Sequence, residues 1–144
     1  MRASRSHSGR PSIPRKALAV TALACLPLVW AVIATRDGQL TLPITITPRD
    51  LAAFWALILL ALWAFRAAQK MQASTSLLLA HTLPFFATIA AIRAGLPVMQ
   101  SLFAAHLVTL IIDLILKNRR PEWWARLRLG ESLLILACLY ALIP

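Results

Sequence analysis

The chain is 144 residues long, 60% hydrophobic and only 14% charged, with a mean hydropathy of +0.74. Soluble domains run at roughly 45–50% apolar and about 25% charged, so this composition excludes a soluble globular domain, and its apolar surplus excludes disorder over most of the length. Fifteen Lys and Arg against five Asp and Glu give a net charge of +10, which in a lipid-embedded chain marks loops at an anionic membrane surface rather than a nucleic-acid partner.

Met1 to Lys16 forms a basic tail with no acid, rich in Arg and Ser. Ala17 to Thr35 follows as an apolar run closed by Arg36 and interrupted by Pro27. About 20 residues span the hydrocarbon core, so this run suffices, and Pro27 is expected to kink it. A signal peptide carries a shorter apolar core and ends in a small-x-small cleavage site. This run is longer and ends at Val32-Ile33-Ala34-Thr35, so it reads as an uncleaved anchor. A mitochondrial transit peptide shares the composition and stays open as an alternative. The next segment, Leu40 to Thr47, alternates in a way that suits a short extended stretch, with Pro43 confining it to an edge or a loop.

The second span comes from Thr47-Pro48-Arg49-Asp50, which reads as N-cap, N1 proline and N3 acid. It carries an apolar run from Leu51 to Phe65 and continues toward Lys70. The third starts at Thr75 or Ser76 and ends at Arg93, with His81 and Pro84 inside it. Ala94-Gly95-Leu96-Pro97 is too short for anything but a hairpin into the fourth, Val98 to Leu116. Lys117-Asn118-Arg119-Arg120-Pro121 stops that one. The fifth opens with Glu122-Trp123-Trp124-Ala125-Arg126-Leu127-Arg128 and becomes wholly apolar from Leu133. The expectation is an all-α polytopic bundle spanning about 17–35, 48–66, 76–93, 98–116 and 125–143, behind a tail of residues 1–16.

With the N-terminus cytoplasmic, twelve of the fifteen basic residues fall in inner loops, and only Arg36, Arg49 and Arg93 lie outside. The positive-inside rule selects that orientation; the membrane expected is a bacterial inner membrane, with the mitochondrial inner membrane as the alternative. Lys117, Arg119, Arg120, Trp123 and Trp124 form an interfacial anchor suited to anionic headgroups.

Ionisable groups at membrane depth cost roughly 2.5–3.5 kcal/mol on insertion scales, so each needs a reason. His106, Thr109 and Asp113 lie on one stripe of the fourth helix, at spacings of three and four. The stripe should face protein, either fixing helix packing by hydrogen bonds or lining a proton or ion path. Gln100, off this line, is shallow enough for headgroup water. His81, Asp113 and Glu131 share a level near the inner interface. They are expected to gather there, neutralised by Arg126, Arg128 or Lys117; the alternative is that the two carboxylates snorkel to water. His81 and His106 are offset by roughly 9 Å along their helices at 1.5 Å per residue, which disfavours bis-histidine haem, and no cofactor or metal site is expected.

No GxGxxG, GxxxxGK[ST], HExxH or GxSxG occurs, and nothing recommends an enzyme. GxxxG packing is missing as well, but Ala87, Ala90, Ala91 and Ala94 make a small face that can approach a neighbour closely.

Leu77-Leu78-Leu79-Ala80-His81-Thr82-Leu83-Pro84, Ile111-Ile112-Asp113 before the basic turn, and Pro121-Glu122-Trp123-Trp124-Ala125-Arg126-Leu127-Arg128-Leu129 resemble an uncharacterised five-helix family. This is the bacterial inner-membrane domain-of-unknown-function family that includes mitochondrial transmembrane protein 69. The resemblance covers helices two to five, with the P-x-W-aromatic-x-R-x-R block its most specific part. It implies a fold and a membrane, not a reaction. The chain departs from the family in its second helix, where Phe54 to Arg66 carries no glycine.

Five short spans with few polar groups enclose no obvious cavity and leave helix faces free to pack. The expected function is a non-catalytic accessory or assembly subunit of a larger membrane complex, respiratory or photosynthetic, partnered by other integral membrane subunits. The alternative is a small transporter or channel using the stripe of the fourth helix.

Overall fold

The computed structural model describes residues 13–38, 46–70, 75–115 and 122–144, with side chains described outside 64–70, 75–81, 122 and 124. Five α-helices make up the described chain: α1 (Arg15–Asp37), α2 (Pro48–Lys70), α3 (Thr75–Arg93), α4 (Val98–Ile115) and α5 (Glu122–Leu142). By length and composition, α1 and α4 are each long and apolar enough to cross a membrane among the described residues. The extended stretch expected over Leu40 to Thr47 and most of the basic tail lie outside the described residues.

Local chemistry sets the helix ends. At the start of α2, the Thr47 amide and hydroxyl donate to Asp50 Oδ2 at 2.9 and 2.7 Å, and the Asp50 amide donates back to Thr47 Oγ1 at 3.2 Å. This reciprocal capping box sits astride Pro48, whose missing N–H is an orphan in any first turn. Thr47→Ala is therefore expected to lower stability by about 1 kcal/mol, read as an earlier unfolding midpoint in denaturing detergent. At the other end of α3, the Gly95 amide donates to Ile92 O and the Leu96 amide to Ala91 O, both at 3.0 Å. Gly95 adopts φ +86° to allow it. This is a Schellman turn, and it folds α4 back antiparallel to α3. α1 continues through Pro27 and ends at Gly38, in the left-handed region.

The helices form a ring in chain order, α1 closing against α5, and α2 also reaches across to α4 and α5. Cys25, Leu28 and Ala31 of α1, Ala52, Ala56 and Leu59 of α2, Leu102 and Ala105 of α4, and Ile135, Leu139 and Leu142 of α5 fill the centre. Arg49 and Asp50 at the start of α2, Pro97 and Gln100 at the start of α4, and Leu142 and Pro144 at the end of α5 line one cavity of about 250 Å³. These three helix termini therefore share one end of the bundle. Trp55 Nε1 clamps α2 to α1 by donating to Ala24 O at 2.8 Å.

The polarity of the section is inverted relative to a water-soluble bundle. Leu23, Leu26, Phe54, Leu83, Phe86, Ile111, Ile115 and Leu133 point outward, while Asp113, Arg128 and Glu131 are buried. The small face expected on α3 is also turned outward: Ala87, Ala90 and Ala94 are exposed. It leaves a groove against α4 instead of closing on a neighbour.

Candidate functional site: a buried ionic cluster

Three helices bring the cluster together. Arg128 lies on α5 with only 3% of its surface exposed. Its Nε donates to Asp113 Oδ2 on α4 at 2.7 Å, and its Nη1 donates to Glu131 Oε2, one turn along α5, at 3.2 Å. The guanidinium carbon Cζ lies over the Trp63 ring of α2, 3.5 Å from its centre. Carboxylates on two edges and an indole on one face suit the planar ion, which is less strongly hydrated than an ammonium and stacks on aromatic rings. Asp113 and Glu131 are buried beside the cation between the helices and do not reach out to the surface.

The stripe of α4 continues inward from this point. His106, Thr109 and Asp113 are all buried. His106 Nε2 lies 3.1 Å from Ala56 O on α2; a carbonyl only accepts, so this nitrogen carries the proton and the ring is held in one tautomer. Thr109 Oγ1 donates to Ala105 O at 2.9 Å, and Thr88 Oγ1 on α3 does the same to Pro84 O at 2.7 Å. Returning a hydroxyl to the carbonyl four residues back is how a helix satisfies it where no water is available.

Of the cations expected to neutralise the carboxylates, Arg128 is the one seated between them. Arg126 projects from another side of α5 and is exposed, because two residues along a helix turn the side chain by about 200°. The His81, Lys117, Arg119, Arg120 and Trp124 side chains lie outside the described residues, while Trp123 is half-buried at the start of α5. Gln100 is exposed at the bundle end, against the 250 Å³ cavity.

Two partners escape sequence reasoning. Nothing in the local sequence marks Trp63 as a lid on Arg128, and the carbonyl of Ala56 has no sequence signature at all. The i, i+3 spacing of Arg128 and Glu131 was the available signal for their pairing. Besides the cavity at the bundle end, an open groove of about 550 Å³ runs between α3 and α4. It opens because alanines face each other there. No cluster of three or more His, Cys, Asp and Glu side chains suited to a metal ion occurs among the described residues.

No family model, curated protein or solved structure matches the chain.

Proposed function

We propose that the chain is a non-catalytic integral membrane protein with five transmembrane helices and a cytoplasmic N-terminus, acting as an accessory or assembly subunit of a larger membrane complex. The apolar outer surface and the buried charges support a lipid surround, since in water such an exterior would be a single association-prone patch. The charge distribution of the loops supports the orientation. The resemblance to the five-helix family agrees with the span count.

One observation carries the non-catalytic part. The polar groups of the α4 stripe are spent on the protein's own interior, with Asp113 on Arg128, His106 on Ala56 O and Thr109 on Ala105 O. None of them lines the bundle-end cavity or the α3–α4 groove described above. A conduction path needs polar groups facing an aqueous or ligand-sized space at successive depths. This stripe instead ties α4 to α2 and α5, which is what a packing subunit requires.

Asp113→Asn keeps the shape and removes the charge. It is expected to cost about 1.5–3 kcal/mol of stability through the weakened Arg128 contact. In a native pull-down from gently solubilised membranes, the wild type should bring integral membrane partners with it, and the variant should bring less of the same set. A chain that purifies alone and stable, with a solute or ion flux abolished in Asp113→Asn, would replace this reading by a transporter.

A further inference from the structure

Hydroxyls inside these helices return to the backbone: Thr35, Thr88, Ser101 and Thr109 each donate to the carbonyl four residues back, at 2.7 to 2.9 Å. Ser132 does not. Only 3% of its surface is exposed, yet it makes no hydrogen bond among the described residues. His106 is buried to the same degree and is half satisfied. Its Nε2 proton goes to Ala56 O. No carboxylate pairs with the ring among the described residues, so the ring is neutral at this depth and Nδ1 keeps a lone pair inside the bundle. A donor and an acceptor left unpaired in an interior are both costly.

The register of α4 against α5 brings the two groups near each other. The helices run antiparallel, tied at one end by Arg128 to Asp113 at 2.7 Å and toward the other by the Phe103 and Tyr140 rings, with centroids 6.3 Å apart. Ser132 comes four residues after Arg128, and Thr109 four before Asp113. Both therefore stand one turn, about 6 Å, beyond the salt bridge, on the faces that it turns toward each other. His106 follows about 4.5 Å further along the same stripe. Together they offer one uncommitted proton, from Ser132, and lone pairs on Thr109 Oγ1 and His106 Nδ1. A ligand that completes them has to accept once, donate twice and be small enough to sit between two packed helices. Water meets all three conditions, and three bonds is the usual number for a buried water.

We propose that the seam between α4 and α5 binds an internal water, which accepts from Ser132 and donates to Thr109 Oγ1 and His106 Nδ1, one turn from the ionic cluster. The water makes the polar interior continuous, from Asp113 and Arg128 through Ser132 and Thr109 to His106 and Ala56 O. One connected network then holds α2, α4 and α5, in place of two separate ties. The site rests on burial and register, and is independent of what surrounds the bundle.

The test is magic-angle-spinning NMR of the full chain, labelled with nitrogen-15 and reconstituted in lipid vesicles, with polarisation transferred from water. The His106 ring signals are assigned by their loss in His106→Gln. Nδ1 should appear as an unprotonated nitrogen, shifted from the position of an unbonded one, and should receive water polarisation several-fold faster than the buried Leu139 amide. Ser132→Ala removes the donor that anchors the water and should cut that transfer several-fold, with helical circular dichroism unchanged. Thr109→Val keeps the shape, loses an acceptor and should act in the same direction; it serves if the first variant does not fold. Transfer to Nδ1 no faster than to the Leu139 amide overturns the site, as does a protonated Nδ1. So does fast transfer that folded Ser132→Ala and Thr109→Val proteins leave unaltered.

Discussion

Replacing Arg128 by Met should destabilise the bundle by about 3–5 kcal/mol, because it leaves the Asp113 and Glu131 carboxylates without the cation that sits between them in a water-poor interior. The lost stacking on Trp63 adds to this. The measurement is the unfolding midpoint in a mild-to-denaturing detergent titration, followed by helical circular dichroism. The sharper part of the prediction is rescue. In the triple variant Arg128→Met, Asp113→Asn, Glu131→Gln, no charge is stranded, so most of the stability should return. If the single variant unfolds like the wild type, the cluster contributes nothing to the fold and the interior argument for it is wrong.

The second large effect is in the core between α1 and α5. Leu139 is fully buried, as is Leu28 of the same cluster. Leu139→Ala should cost about 2–5 kcal/mol, part from lost contacts and part from the cavity left behind. Leu28→Ala should cost a comparable amount, and the two effects should combine non-additively because both side chains belong to one packed cluster. This pair also tests whether α1 is a resident of the bundle. A cleaved leader would make Leu28→Ala silent in the mature protein, while Leu139→Ala kept its full effect.

The helices were legible where punctuation was strong. Apolar runs closed by Arg36 and Arg93, the Thr47-Pro48-Arg49-Asp50 start and the Gly95 turn each follow from local chemistry, and the structure realises them with a capping box and a Schellman turn. The start of α5 was harder. Its wholly apolar part begins at Leu133, yet the helix extends back to Glu122, because Arg128 and Glu131 find partners inside and not in water. That choice is not written locally. An arginine near a membrane interface is nearly as well off snorkelling to headgroups, and what tips the balance is an aspartate fifteen residues earlier and an indole on another helix. The stripe of His106, Thr109 and Asp113 was readable from the helical period, but its acceptors were not. Backbone carbonyls such as Ala56 O are present in every sequence, and only tertiary packing selects one of them.

The groove between α3 and α4 shows the opposite failure. The alanines of α3 make a face small enough for close approach. They face outward instead because α3 packs chiefly on α2 and α4 among the described residues. Small residues permit close packing without specifying which helix supplies the neighbour.

Compartment-specific reporters fused in turn after residues 38, 72, 95, 119 and 144 test the five-span arrangement most directly. Outside, inside, outside, inside, outside is the pattern predicted, with the final proline on the opposite side of the membrane from the basic N-terminal tail. Finding Pro144 in the same compartment as Met1 would contradict it.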